Sequence, residues 1–254
     1  MDSHTLLANK VFGLCQYRKN ACWSLILFVL GYAVHSIEKL VRVGNTNMSP
    51  DIILTSKTHG HALVIECKSG ANVDLEQDRK YGQIALNDLH EAGVPAHVRS
   101  HTPIYAINEE HVDRIRGHTG HALLVFGSRR IYGIGQFGYD KLTRALQKGI
   151  NLKNGAFPDI GAYPFSIRDT HDHIDARVAG AIMFYLNTHP DMKGRSLATR
   201  AFASAILRVA HPPHRHFSGS HRSELRRAVA HSISRQEDCG AWWLEPAAGS
   251  YSEP

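Results

Sequence analysis

Cysteine is scarce in this chain of 254 residues: there are four, Cys15, Cys22, Cys67 and Cys239. None is spaced as a metal-binding pair, and four are too few for a disulfide scaffold, so a reducing, cytoplasmic setting is expected. A long apolar run is also missing. The stretch Ala21 to Val34 covers 14 residues, short of the roughly 20 that span a bilayer, so no membrane span is expected. It follows Arg18 and Lys19 as a signal peptide would, but runs on into Ser36–Val43 without a small-residue cleavage signal. Internal repeats and low-complexity tracts are absent. Lysine is absent between Arg195 and Arg235, where eight arginines face a single acid, Glu224. That segment carries +7 while the whole chain carries +6, so everything else sums to −1.

What is present suffices for one large or two small domains with an ordinary core, at 43% hydrophobic residues. Glycine and proline interrupt the chain from Gly133 to Pro164, with one short helical stretch at Lys141–Lys148. This places a boundary at about residues 150 to 165 and divides the chain into residues 1–150 and 165–254. In the second part Asp172–Asn187, Ser196–Ala210 and His221–Arg235 read as three helices.

The segment from Pro50 to Lys68 is the richest in chemistry. Ile52, Ile53 and Leu54 and then Leu63, Val64 and Ile65 flank the polar stretch Ser56–His61, which contains Gly60. This predicts a β-hairpin. With the turn centred between Thr58 and His59, opposed residues have numbers adding to 117, as Asp51 and Glu66 do. The two carboxylates then share a face, their Cβ atoms roughly 5 Å apart, and strand alternation puts Lys68 on that face too. Two acids so placed repel unless a cation lies between them. A hard divalent ion such as Mg²⁺ or Mn²⁺ accepts carboxylate oxygens and keeps water. Such an ion can activate that water and offset charge on a phosphoryl oxygen, with Lys68 stabilising the charge that grows in the transition state. Cys67, between the two, belongs to the opposite face and reads as core.

Pro50-Asp51, fourteen residues, then Glu66-Cys67-Lys68 resembles the signature of the PD-(D/E)XK, or restriction-endonuclease-like, nuclease superfamily, over roughly residues 22 to 135. The resemblance implies a mixed β-sheet flanked by helices, Asp51 and Glu66 as metal ligands, and Lys68 assisting attack on a phosphodiester. A second copy, Pro158-Asp159 with Asp191-Met192-Lys193, is rejected because Asp191 follows a helix-ending turn rather than opening a strand.

Neighbouring segments extend the resemblance. Ala21 to Val43 reads as a helix from Leu30, Ala33, Val34, Ile37, Leu40 and Val41. Glu38 borders that stripe; it is either the first-helix acid of the superfamily's metal site or a solvated residue beside Lys39 and Arg42. A second helix is predicted over Leu75 to Ala92, with Asp74 as N-cap and Gly93 as stop. Gln77 and Tyr81 share a face of it. They resemble the Gln-x-x-x-Tyr pair of the RecB-like branch, which borders the active site and touches nucleic acid. The plain alternatives are a capping box with Asp74 and packing on the sheet. Arg79 and Lys80 read as phosphate contacts or as a solvated basic face. Strands are expected at Pro103–Ile107, His121–Phe126 and Arg130–Ile134, completing an α/β layer structure.

In the basic module, Arg200, Arg208, Arg222, Arg226, Arg227 and Arg235 are candidate phosphate contacts. A helix-turn-helix-like arrangement would direct Ser196–Ala210 into a groove; a solvated face or dimerisation surface is the alternative. Among the 18 histidines, the pairs His59/His61, His171/His173 and His214/His216 invite a zinc reading that their irregular context weakens.

The expectation is therefore an α/β, restriction-endonuclease-like domain followed by a mainly helical basic module. It would be a Mg²⁺-dependent (or Mn²⁺-dependent) nuclease hydrolysing DNA, with roles in restriction, anti-phage defence or repair, acting as a homodimer or with a partner subunit. Asp51, Glu66, Lys68 and Glu38 would be catalytic, and Gln77, Tyr81, Arg200, Arg208, Arg222 and Arg226 substrate-binding. RNA or branched DNA would suit the same chemistry. The alternative class is a catalytically silent nucleic-acid-binding or assembly module of a larger complex.

Overall fold

The computed structural model describes residues 3–15, 25–152, 169–188, 196–197, 199–211, 216–217, 219–238, 246–247 and 250–252. They fall into two compact units, Leu6–Gly161 and Ala162–Pro254 with Met1–Thr5.

The unit Leu6–Gly161 contains most of α1 (Ser3–Leu14), then α2 (Leu25–Val29), β1 (Tyr32–Ile37), the small ribbon β2 (Val41–Val43) and β3 (Thr46–Met48), and the hairpin β4 (Ile52–Ser56) and β5 (His61–Lys68). Next come α3 (Leu75–Gln83), α4 (Leu86–Glu91), β6 (Ser100–Asn108), a 3-10 turn, α5 (Val112–Arg116), β7 (Ala122–Phe126), β8 (Arg130–Ile134), α6 (Asp140–Lys148) and β9 (Ile150–Asn151). Seven strands form one mixed sheet in the order β1-β4-β5-β6-β7-β8-β9. β5, β6 and β7 run parallel, and the remaining neighbours are antiparallel.

Cross-strand register defines the two faces. Glu66 pairs with Tyr105, Tyr105 with Leu123 and Leu123 with Ile134. On this face one core joins Ile53, Ala62 and Val64 to Tyr81, Ile84 and Leu89 of the α3–α4 segment, with Val41 and Met48. A second joins Tyr105, Ile107, Leu123 and Val125 to Ile115 of α5. The connections that return the chain to the same end of the parallel strands thus lie on one face, as right-handed crossovers require. The next row, Cys67, Ala106, Leu124 and Gly133, belongs to the other face. There a side chain on Gly133 would run into Phe137 and Leu146 of the α6 segment. Lys10 of α1 donates to Asn108 at 3.0 Å and lies over the Phe126 ring. Helices therefore flank both faces of the sheet, which is why its central strands are apolar throughout rather than alternating.

Two helices predicted in this unit are corrected. The helix over Ala21–Val43 is not formed: α2 ends at Val29, and β1 and β2 occupy the rest among the described residues. Gly31 turns the chain between α2 and β1 at φ +70°, a conformation that side-chain-bearing residues disfavour. Tyr32 to Ile37 then pair along β4 with a bulge between Val34 and Ser36. The apolar positions that suggested helical spacing were a coincidence of period. Ala33 is exposed, as is Leu40 at 55%, whereas Tyr32, Ser36 and Ile37 are buried. Hydrogen-bonding a whole strand to a preformed hairpin edge outweighs helix propensities worth tenths of a kcal/mol, roughly, per residue.

The helix predicted over Leu75–Ala92 is two helices. Ile84 is extended at ψ 119° and buries its side chain. The Asp88 carboxylate then accepts the Ala85 N–H at 2.7 Å and starts α4. The predicted ends hold: Asp74 accepts from the N–H groups of Glu76 and Gln77, and Gly93 donates to His90 at 2.9 Å beyond α4.

The unit that includes Ala162–Pro254 holds α7 (His171–Thr188), α8 (Thr199–Ala210) and α9 (Gly219–Asp238), with a small sheet of β10 (Ser196–Leu197), β11 (Pro246–Ala247) and β12 (Ser250–Ser252). The predicted helix from Ser196 starts instead at Thr199, after β10. Each helix contributes buried residues four apart: Ile174, Val178 and Ile182; Phe202 and Ile206; Leu225, Val229 and Ile233. That stripe is what packs three amphipathic helices together. Arg235 of α9 forks onto Asp175 of α7 at 2.6 and 3.0 Å. Among the described residues no helix is long and apolar enough to cross a membrane.

Candidate metal and active site

The hairpin register is the one predicted from its turn. Ile52 pairs with Ile65, Ile53 with Val64, and so on to Ser56 with His61. Asp51, one residue before β4, continues this register opposite Glu66, and its Oδ2 accepts the Cys67 N–H at 2.6 Å. Lys68 closes β5 and donates from Nζ to Glu66 Oε1 at 3.2 Å. Asp51, Glu66 and Lys68 are thus brought together on one face, at the C-terminal end of the parallel strands. Open α/β sheets place their ligands at this end.

α3 completes the arrangement. Gln77 Nε2 donates to Glu66 Oε1 at 2.9 Å while its Oε1 accepts from Lys68 Nζ at 2.6 Å. Tyr81 donates its hydroxyl to Glu66 Oε2 at 2.5 Å. The i,i+4 pair therefore grips one carboxylate from one helix face. Of the capping-box alternative only half is realised: Asp74 caps the Gln77 N–H, but the Gln77 side chain goes to the sheet. Tyr81 is 2% exposed, so it positions Glu66 rather than reaching a nucleic acid. Arg79 is exposed and Lys80 pairs with Glu76 at 2.6 Å.

Burial first, and then the charge of Asp51, push the Glu66 carboxyl above its ordinary range; the Tyr81 hydroxyl and the Lys68 ammonium pull the other way. The Cys67 thiol, buried on the opposite face, is pushed far up by burial and by the two acids, which makes it a poor nucleophile.

Glu38 is not on a helix. It occupies the turn after β1 at φ +46°, and its N–H donates to the Asp51 carbonyl at 3.0 Å. Its backbone therefore fixes the residue carrying Asp51. Among the described residues no three His, Cys, Asp or Glu side chains gather into a metal-holding group, so the candidate centre is the Asp51–Glu66 pair. A carboxylate has about four acceptor sites. Lys68, Gln77 and Tyr81 occupy three of those on Glu66, which leaves room for a cation. The donor set is hard oxygen, as Mg²⁺ or Mn²⁺ prefers.

Sequence reasoning missed Tyr105. Its ring lies 5.8 Å from Lys68 Nζ, a cation–π contact, and meets Tyr81 and His121 edge-on. It sits beside Glu66 only because β6 pairs with β5 in parallel, and no local pattern announces such a neighbour. Also unforeseen is the dock of α3 on the segment before β7. Thr119 donates to Asp78 at 2.5 Å, and the His121 ring Nε2 lies 3.0 Å from the Asp78 carbonyl.

The histidine pairs do not form metal sites among the described residues. His61 is buried between the Tyr32 hydroxyl, 2.6 Å from its Nδ1, and the Thr102 hydroxyl, 3.0 Å from its Nε2. His59 stacks on Tyr139, and His173 lies 3.7 Å from Asp169 in α7. His214, Cys22, Cys239 and the rejected second motif at Pro158-Asp159 and Asp191–Lys193 lie outside the described residues. Arg208 lies on α8, and Arg222 and Arg226 on α9. Arg200 also lies on α8, its side chain outside the described ones.

The fold and the site together define an α/β protein with a large mixed sheet flanked by helices and a carboxylate pair at one strand end. Residues 3–106 of the chain match the family model described as the MJECL32 domain. No curated protein and no solved structure gives a significant match. The matched stretch runs from α1 into β6 and includes Asp51, Glu66, Lys68, Gln77 and Tyr81.

Proposed function

We propose that the protein is a metal-dependent nuclease of the restriction-endonuclease-like kind, hydrolysing phosphodiester bonds in DNA. One observation carries the reading: two carboxylates and an ammonium share one sheet face at a strand end, with one carboxylate gripped by a glutamine and a tyrosine. A structural ion pair needs one acid and one base; here a second acid raises the proton affinity of the first, an arrangement typical of functional sites.

Asp51 and Glu66 would hold a divalent cation, which when bound would supply a polarised water and offset charge on the phosphoryl oxygens. Gln77 and Tyr81 fix the Glu66 carboxylate, so its orientation is set before any ligand arrives. Lys68, fixed by Gln77 and Glu66, presents its charge where the attacked phosphoryl group becomes more negative. The backbone of Glu38 and the N–H of Cys67 hold Asp51 in place.

The test is cleavage of plasmid and linear DNA with Mg²⁺ or Mn²⁺ by the wild type and by Asp51→Ala, Glu66→Ala and Lys68→Ala. Loss of cleavage in each variant is expected, and undiminished cleavage in all three removes the assignment. One observation favours the second reading, a silent nucleic-acid-binding or assembly module: Lys68 already neutralises Glu66 directly. That reading predicts salt-dependent binding without Mg²⁺-dependent turnover in the same assay.

A further inference from the structure

The helical unit contains a half-open cavity of about 360 Å³, lined by Ser204, Leu207 and Arg208 of α8 and by Gly219, Arg222 and Arg226 of α9. Its construction follows from helical period. Ser204 and Arg208 are four apart, as are Arg222 and Arg226, so each helix turns one polar pair toward the cavity. α9 opens at Gly219, where a side chain would meet nothing, so the first turn of a 20-residue helix is open to the cavity. That turn holds no acid.

Three arginines line this one concavity, Arg208 and Arg222 exposed and Arg226 half-buried. Elsewhere in this unit an arginine is neutralised: Arg235 has Asp175. Arg208, Arg222 and Arg226 have no carboxylate partner among the described residues. Glu224 faces His221 at 3.8 Å and does not line the cavity. Such a concentration of planar donors matches the oxygens of a phosphate group. The volume is at the low end for ligand pockets, far smaller than a groove that would seat a duplex.

We infer that this cavity is a binding site for a phosphate monoester, with Arg208, Arg222 and Arg226 as its forks. The chemistry is shared by a free nucleotide and by the 5′-phosphate at the end of a nucleic-acid strand. This site stands independently of the reaction proposed for Asp51 and Glu66, and its test contains no divalent metal.

The experiment uses the full chain in EDTA. Fluorescence anisotropy compares a labelled single-stranded oligonucleotide carrying a 5′-phosphate with the same strand ending in a 5′-hydroxyl, and adenosine monophosphate with adenosine serves as the competitor pair. The phosphorylated member of at least one pair is expected to bind about tenfold or more tightly, since bonds to charged partners are the strong ones. That preference should vanish in Arg222→Gln and Arg226→Gln. It should weaken in Arg222→Lys, which keeps charge and loses the fork, and persist in Arg227→Gln, whose residue is equally exposed on α9 but does not line the cavity. Preference in the oligonucleotide pair assigns the site to strand ends; preference confined to the mononucleotide pair assigns it to free nucleotides. Equal binding of both members of both pairs, or an equal loss in Arg227→Gln, overturns the proposal in favour of a diffuse basic face. Circular dichroism melting of each variant confirms that the unit is folded when binding is read.

Discussion

Tyr81→Phe isolates one hydrogen bond at the heart of the site. The ring of Tyr81 stays, packed edge-on against Tyr105 at 6.3 Å between centroids; only the hydroxyl that donates to Glu66 is lost. A bond to a charged, buried acceptor contributes about 1.5–3 kcal/mol. Its sign follows from the environment of Glu66. The Glu66 carboxyl already titrates above its ordinary range, so this group's contribution to stability is full at low pH and fades as pH rises through its folded-state value. Removing the hydroxyl raises that value further. The variant should therefore lose the full 1.5–3 kcal/mol, roughly, at pH above the folded-state value of Glu66, where the carboxylate is charged. Near pH 4, where the carboxyl is protonated in the fold, only the about 0.5–1.5 kcal/mol of a neutral bond is at stake. For a unit of this size that high-pH loss lowers Tm by about 3–12 °C. Urea unfolding of wild type and variant at pH 4, 6 and 8 measures it. A destabilisation independent of pH would show that Tyr81 only fills space, and the Glu66 network would lose its electrostatic meaning.

Three further outcomes follow from the same geometry. Mg²⁺ or Mn²⁺ should raise Tm at pH 7.5 much more than at pH 4.5, where protons compete with the ion for the Glu66 carboxyl that titrates above its ordinary range; Asp51→Asn should abolish the shift, and calorimetric scans with and without EDTA check this. His61, 1% exposed, has its pKa pushed down to about 4 by burial and by His101 and His59. The fold should thus hold its stability above pH 6.5 and lose up to about 3 kcal/mol as pH falls from there to about 4. Urea midpoints across that range read it, and His61→Gln should flatten the slope. Gly138→Ala should destabilise by at least about 2 kcal/mol. Its φ is +93°, and the added methyl would overlap His61 Nε2 and the Thr102 hydroxyl. A melt within 2 °C, roughly, of wild type would contradict that packing.

Legibility in the sequence followed locality. The hairpin could be read because its turn is short and its period is two: once the centre of the Ser56–His61 turn is known, Asp51, Glu66 and Lys68 must share a face. Asp74 could be read as a cap because its carboxylate acts on residues two and three positions on. α6 and β8 were found within a residue for the same reason. β1 was misread as helix because its partner, β4, lies about twenty residues away and its own apolar spacing is ambiguous. The break at Ile84–Ala85 escaped notice because Asp88, which starts the new helix, looks like any exposed acid.

The amino-acid sequence by itself determined the hairpin, its register, and the face shared by Gln77 and Tyr81, since each follows from a period of two or of about 3.6 over a few residues. Tertiary structure alone decided that α3 lies against β5 so that both side chains close on Glu66, and that β6 runs parallel to β5 so that Tyr105 lies beneath Lys68. In the helical unit it likewise decided that Arg208 meets Arg222 and Arg226 around one cavity. These neighbours are joined by burial and by hydrogen bonds across long loops, and such pairings depend on how whole elements pack rather than on the spacing of residues within any one of them.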